Sequence, residues 1–214
     1  DTNPLEGTEG RLQLMNSLGR ALPRPSSIVD ELKKNYPSKK LRAGDLLKTV
    51  LYSFGPIWPG RLTLDGVPLG DVWKYHGAYV PFHKLSQWMT YSLLEPFFTA
   101  GWRITDLDDL TGLPEYRNGG LLIDLGLLEL RDASLAQKTH AANSDLIIEW
   151  RALTVALLDE VAEGVRKVLG KSRDELPLGS ILEGGTWKAG RIVAQQKRPD
   201  SSPPLKIQSD GTVF

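Results

Sequence analysis

The sequence predicts a mainly α-helical protein, a helical bundle with one small hairpin and an extended carboxy-terminal tail. Three observations predict it. Apolar residues recur at intervals of three and four in separate segments, with Leu46, Leu47, Val50 and Leu51 forming one such stripe. The longest segment is bounded by helix punctuation, Ser144 or Asp145 before it and Gly170 after it. The signal for a β-hairpin is confined to the Asp65-Gly66 step.

In chain order, Thr8 is placed to cap a first helix carrying Leu12, Met15, Leu18 and Leu22, which Pro23 and Pro25 end. Ser26 or Ser27 caps a second, through Ile28, Val29 and Leu32, ending near Pro37. A third runs from about Gly44 to Phe54. A Gly/Pro-rich link follows, with hairpin arms at 61–64 and 67–69. Pro81 is expected in the first turn of a long helix reaching about Phe98. Residues 105–110 read as a short acidic helix. Pro114 starts another helix, which Gly126 ends. The longest helix reaches Leu169, and one more is expected over 178–197. The prolines of the tail keep it extended. The segments group as 1–60, amino-terminal helices completing the core; 61–198, the main helical domain; and 199–214, the tail.

Lys plus Arg equals Asp plus Glu, at 26 each. That balance argues against a general nucleic-acid or anionic-membrane binder, which needs an excess of basic residues. There is no cysteine, so disulfides, thiolate metal sites and a cysteine nucleophile are excluded. An intracellular, cytoplasmic protein is the resulting expectation. His76, His83 and His140 lack the short helical spacing of a zinc site. No apolar run is long enough for a membrane span. The first residues carry neither a starting Met nor a signal peptide, and the chain reads as a piece of a longer or processed protein.

The stretch from Val80 to Asp132 is mostly apolar, yet Lys84, Glu115, Arg117 and Asp124 are set into it. Charges buried in such a stretch are paired or kept for a task. Lys84 has Trp88 and Tyr91 at helical spacing. It could hold a phosphate or polarise a sugar hydroxyl, or simply lay its stem on apolar surface. Glu115 and Arg117 flank Tyr116 at a helix start, where the helix dipole favours a carboxylate. Glu115 suits a base or a stabiliser of positive charge, and equally plain helix electrostatics. Glu149 and Arg151, on either side of Trp150, have largely apolar helical neighbours and are expected to pair elsewhere. Asp124 reads as partner to an arginine; His83 could bind phosphate or be structural. Gly185 and Ala189, four apart, allow close helix packing. No G-x-S-x-G elbow, Walker loop or G-x-G-x-x-G occurs.

Five motifs stand out: V-P-F-H-K-L-S-Q-W-M-T-Y-S-L-L-E-P, L-T-G-L-P-E-Y-R-N-G-G-L, E-W-R-A-L-T-V-A-L-L-D, L-E-G-G-T-W-K-A-G-R and the terminal S-D-G-T-V-F. Together they resemble the uracil-catabolism protein family of fungi and bacteria, formerly a domain of unknown function. The resemblance covers nearly the whole chain and places it in the carboxy-terminal half of longer proteins. It implies that an amino-terminal half of the same protein is a partner. The order P-F-H-K-L-S-Q, L-T-G-L-P-E-Y-R, L-G-L-L and E-W-R carries a second pattern. It more distantly resembles the order of motifs in the queuosine-5′-phosphate N-glycosylases. These enzymes are helical, similar to helix-hairpin-helix DNA glycosylases, and use the lysine and aspartate of the motifs. Carried over, those positions are Lys84 and Glu115; the Asp-to-Glu change keeps the carboxylate and lengthens its reach.

Together the resemblances imply a glycosylase-like helical domain at 61–198. They imply a cytoplasmic N-glycoside hydrolase of pyrimidine degradation, cleaving ribosylurea or its 5′-phosphate to urea and ribose or ribose phosphate. Glu115 and Lys84 would be catalytic. Arg117, Arg151 and His83 would hold a phosphate, and Trp88, Tyr116 and Trp150 would wall the pocket, with Glu149 and Asp124 as further polar contacts. The scheme calls for no metal or cofactor. The rivals are a non-catalytic binding subunit of the same pathway and a hydrolase of another modified nucleotide.

Overall fold

The computed structural model describes residues 8–22, 24, 26–58 and 62–208, with only the backbone of Pro56. Pro23, Pro25, Arg61 and the terminal S-D-G-T-V-F motif lie outside the described residues, as do residues 1–7. The protein is mainly helical, as its periodicity predicts. Among the described residues, no helix is long and apolar enough to cross a membrane. The chain forms two compact units interleaved in sequence. One takes the residues up to Trp73 and His83–Leu110; the other takes Lys74–Phe82 and the described chain from Thr111 onward.

The first unit carries α1 (Thr8–Ala21), α2 (Ser26–Asn35), α3 (Ala43–Phe54) and α4 (Lys84–Thr99). Its core joins Ile28 and Leu32 of α2, Leu46, Val50 and Phe54 of α3, Phe97 of α4 and Trp102. The Phe97 and Trp102 rings meet edge to face, 5.2 Å apart. Strands β1 (Lys40–Arg42) and β6 (Arg103–Thr105) pair in parallel, Leu41 opposite Ile104. Their brevity and distance in sequence hide them from any periodicity. The expected acidic helix at 105–110 is replaced accordingly. Thr105 ends β6, and only Leu107–Asp109 form a single 3₁₀ turn. Arg42 holds Asp106 at 3.4 Å and Asp109 at 3.0 Å, so these acids anchor a strand rather than an α-helix.

The Asp65-Gly66 hairpin forms as expected, between β2 (Thr63–Leu64) and β3 (Val67–Pro68), with both turn residues at positive φ. Pro81 does not open a helix. It ends β5 (Ala78–Pro81), the second arm of a hairpin whose first arm is β4 (Val72–Tyr75). Helix α4 begins at Lys84, after His83 turns the chain through the left-handed region (φ 47°).

The second unit carries α5 (Tyr116–Asp124), α6 (Asp145–Leu169), α7 (Leu178–Ile181) and α8 (Lys188–Lys197). Ser144 and Gly170 bound α6 as the sequence predicts, Gly170 at φ 62°. The helix expected over 178–197 is there but widens into a π turn at Leu182–Trp187, between α7 and α8. The Gly184-Gly185 pair within it lowers the barrier to such a turn. The tail is not wholly unpaired: β8 (Lys206–Gln208) adds in parallel to β7 (Thr139–Ala141). Leu205, ahead of β8, is fully buried with Ile147 and Trp150.

Candidate functional site

Glu115 is the N-cap of α5. Its backbone is extended (φ −102°, ψ 142°) and its Oε2 accepts the main-chain N–H of Arg117 at 2.7 Å and of Asn118 at 3.4 Å. Leu113 and Pro114 lead into this point by a tight turn, in which the Glu115 N–H donates to the Leu113 carbonyl at 2.7 Å. A cap made by Glu rather than Ser or Asp is the same chemistry on a longer arm. One carboxylate oxygen is thereby fixed by charge-assisted bonds, which orients the other.

The start of α5 is also where several sequence motifs meet. Buried Asn118 donates from Nδ2 to the Leu113 carbonyl (3.1 Å) and accepts the Thr186 hydroxyl proton at Oδ1 (2.9 Å). Thr186 reaches it from the π turn, so the widened turn has a visible purpose. Gly190 of α8 lies against the Arg117 carbonyl, and a Cβ there would collide with that oxygen. The close approach of L-E-G-G-T-W-K-A-G-R therefore falls on Gly190, not on the expected Gly185 and Ala189. Gly119 abuts α6: its carbonyl accepts the Trp150 indole N–H at 3.1 Å, and a Cβ would stand 2.8 Å from Trp150 Nε1 and 2.6 Å from Thr154 Oγ1. Segments E-Y-R-N-G-G, E-W-R-A-L-T and G-T-W-K-A-G are thus locked together in one unit.

The remaining predicted residues divide. Arg117 donates from Nη1 to the Ser201 carbonyl at 2.7 Å and stacks over Tyr116, 4.8 Å from the ring centre. Arg151 is buried at 1% exposure with its guanidinium 4.0 Å from the Phe82 ring centre, a cation–π contact. Trp150 belongs to the apolar core with Ile147 and Leu205. Asp124 is partner to an arginine, as expected: Arg198 grips both its oxygens, at 2.7 and 2.6 Å. That pairing raises the Arg198 pKa. Glu149 is half-buried on α6, and Trp88 stands exposed on α4.

Lys84 belongs to the first unit and Glu115 to the second. Lys84 is the first residue of α4 and is 5% exposed, so it is not a surface lysine lying over apolar neighbours. Its main-chain N–H donates to Asp71 Oδ2 at 3.0 Å, and Asp71 Oδ1 accepts the Trp73 indole N–H at 2.7 Å. His83 between them has its pKa lowered by burial, partly opposed by Asp71. Sequence reading missed Asp71 and Asn118. Asp71 sits in a Gly/Pro-rich link, and local spacing rules do not reach Lys84, thirteen residues on. Asn118 could have been noticed as a polar residue followed by two glycines at a helix start. Two surface depressions, about 450 Å³ between α2 and α3 and about 610 Å³ beside the end of α5, are lined by neither Lys84 nor Glu115.

Among known proteins, the chain is 40% identical over 259 aligned residues to "Uracil catabolism protein 4" of Lachancea kluyveri, covering all of this chain and 58% of that one. It is 43% identical over 225 residues to "Protein urg3" of Schizosaccharomyces pombe, covering 56% of it. The chain therefore spans a little over half the length of these relatives. The resemblance expected from the motifs is met along the whole chain. Residues 1–214 also match the model of the family described as "Protein of unknown function (DUF1688)". By that match the chain belongs to the DUF1688 family.

Proposed function

We propose that the chain is part of a uracil-degradation enzyme that hydrolyses the C1′–N bond of ribosylurea or its 5′-phosphate, releasing urea and ribose or ribose phosphate. The pathway follows from the name of the Lachancea kluyveri relative, "Uracil catabolism protein 4". The reaction rests on one observation above others: the motif carboxylate, Glu115, is fixed at the start of α5 by two main-chain amides. Breaking a C1′–N bond builds positive charge on the ribose ring. A carboxylate held rigidly beside C1′ stabilises that charge and takes a proton from the attacking water. Water adds its oxygen to C1′ as the C1′–N bond breaks; one of its protons stays on the new C1′ hydroxyl, and the other passes by way of the carboxylate to the departing urea nitrogen. The motif order assigns Lys84 the role of anchoring ribose hydroxyls or the leaving group, and arginine forks such as that of Arg117 suit a 5′-phosphate.

The test uses the full-length protein with ribosylurea, ribosylurea 5′-phosphate, uridine 5′-phosphate and queuosine 5′-phosphate, measuring free urea or base. Urea from a ribosylurea substrate supports the reading; base from queuosine phosphate alone replaces it. Glu115→Gln keeps an oxygen to cap α5, so the fold should survive while urea release falls about 10²- to 10⁴-fold. One observation favours a second reading, a non-catalytic binding subunit: the Glu115 carboxylate already serves as a cap. That reading predicts no turnover but saturable binding of ribosylurea 5′-phosphate by calorimetry, unchanged in Glu115→Gln.

A further inference from the structure

The corner that launches α4 is built in an unusual way. The N-cap position is held by His83, whose side chain makes no cap hydrogen bond and whose backbone is left-handed, a region that costs a non-glycine residue conformational energy. The cap carboxylate comes instead from Asp71, which is 7% exposed. A carboxylate buried to that degree needs strong donors in compensation. Asp71 has the indole N–H of Trp73 on one oxygen and the first amide of α4, that of Lys84, on the other. Its carbonyl also accepts the His83 N–H at 3.3 Å. Thus a buried acid, a buried indole and a strained turn all converge on the backbone of a single residue, Lys84. A Ser or Asp at position 83 would cap the helix without any of this. It would leave the lysine backbone free to fray with the first turn.

We propose that Asp71 is a positioning residue for Lys84, holding the lysine's backbone at the start of α4 so that its amine is presented in one place. Trp73 completes the device by fixing the Asp71 carboxylate. The proposal deepens the glycoside-hydrolase reading, but only its activity arm rests on that reading.

The experiment uses the full-length protein and two readouts. The first is trace acetylation by acetic anhydride, followed site by site by mass spectrometry, with exposed Lys34 as internal reference. In Asp71→Asn one oxygen becomes an amide donor, which must face either the indole N–H or the Lys84 N–H. Lys84 acetylation should rise by about fivefold relative to Lys34 as the first turn opens. Adding Trp73→Phe removes the competing donor, so Asp71→Asn/Trp73→Phe should return most of the way to wild type. The second readout is urea release: kcat should fall about tenfold in Asp71→Asn with KM within about twofold, and recover in the double variant. If Asp71→Asn does not fold, Trp73→Phe alone should give a smaller rise in Lys84 acetylation. Lys84 acetylation unchanged in every folded variant overturns the proposal, whatever the melting temperature does. A wild type that releases no urea overturns the hydrolase reading instead, and the acetylation arm still decides Asp71.

Discussion

The two units of this protein differ in how their helices meet. The first is a core of large apolar side chains, in which Leu46, Val50 and Phe54 of α3 interdigitate with residues of α2, α4 and Trp102. The second has an apolar core too, around Ile147, Trp150 and Leu205, but its helices meet through small residues and polar contacts. Gly119 and Gly190 bring α5 against α6 and α8, and Asn118 and Thr186 bond across the buried gap. Cores of the first kind tolerate changes of shape if volume is kept. An interface of the second kind tolerates almost none, because main-chain atoms cannot move aside as side chains do. The element most tightly fixed in this way is α5, which carries Glu115 at its cap.

The sharpest way to break that contrast is Gly190→Ala. Its methyl group meets the Arg117 carbonyl, which is backbone. The loss of stability should be at least about 3 kcal/mol, at the top of the range for overpacking. Hydrogen exchange should quicken in peptides covering α5 and α8 before it does in α3. A loss shared equally by α3 would remove the distinction drawn between the units.

Next in size is Arg198→Ala, which leaves Asp124, whose side chain is 5% exposed, without its bidentate partner. Breaking such a pair should cost about 3 kcal/mol, seen as a lower denaturation midpoint. Arg198 is itself 23% exposed, so water reaches part of the pair and the effect should stay below that of Gly190→Ala. Leu46→Met in the first unit is the counterpart. It keeps volume in a fully buried apolar site and should cost under about 1.5 kcal/mol. A larger loss there would show that the first core is as exacting as the second.

The same contrast explains what was legible in the sequence. The helices of the first unit, and α6 of the second, follow from apolar stripes and from Ser144 and Gly170, because their stability is local periodicity plus burial. Strands β1, β6, β7 and β8 escaped, being three residues each and paired with strands far away in sequence. Pro81 misled because proline suits both a first helical turn and a strand end. Among the candidate residues, Glu115 and Lys84 are legible through motif order, while Asp71, Asn118 and Gly190 act on residues distant in sequence. Charge partners such as Arg198 for Asp124 could be anticipated in kind but not by number, since seventy-four residues separate them.

The smallest expected effect tests the strained turn before α4. Burial lowers the His83 pKa below its ordinary value of 6.5, with Asp71 pulling weakly the other way. The folded protein therefore binds that proton less readily than the unfolded chain does. Its stability is fully present above pH 6.5 and declines as the pH falls through the lowered folded-state value. Asparagine tolerates the left-handed backbone at this position and does not titrate. His83→Asn should therefore keep the turn and flatten the dependence: its denaturation midpoint should change less between pH 7 and pH 5 than that of the wild type. Carboxylates elsewhere titrate equally in both proteins, so the difference between the two curves isolates His83. If the curves run parallel, the imidazole is solvated in the native state, and the burial assigned to this corner of the first unit would have to be withdrawn.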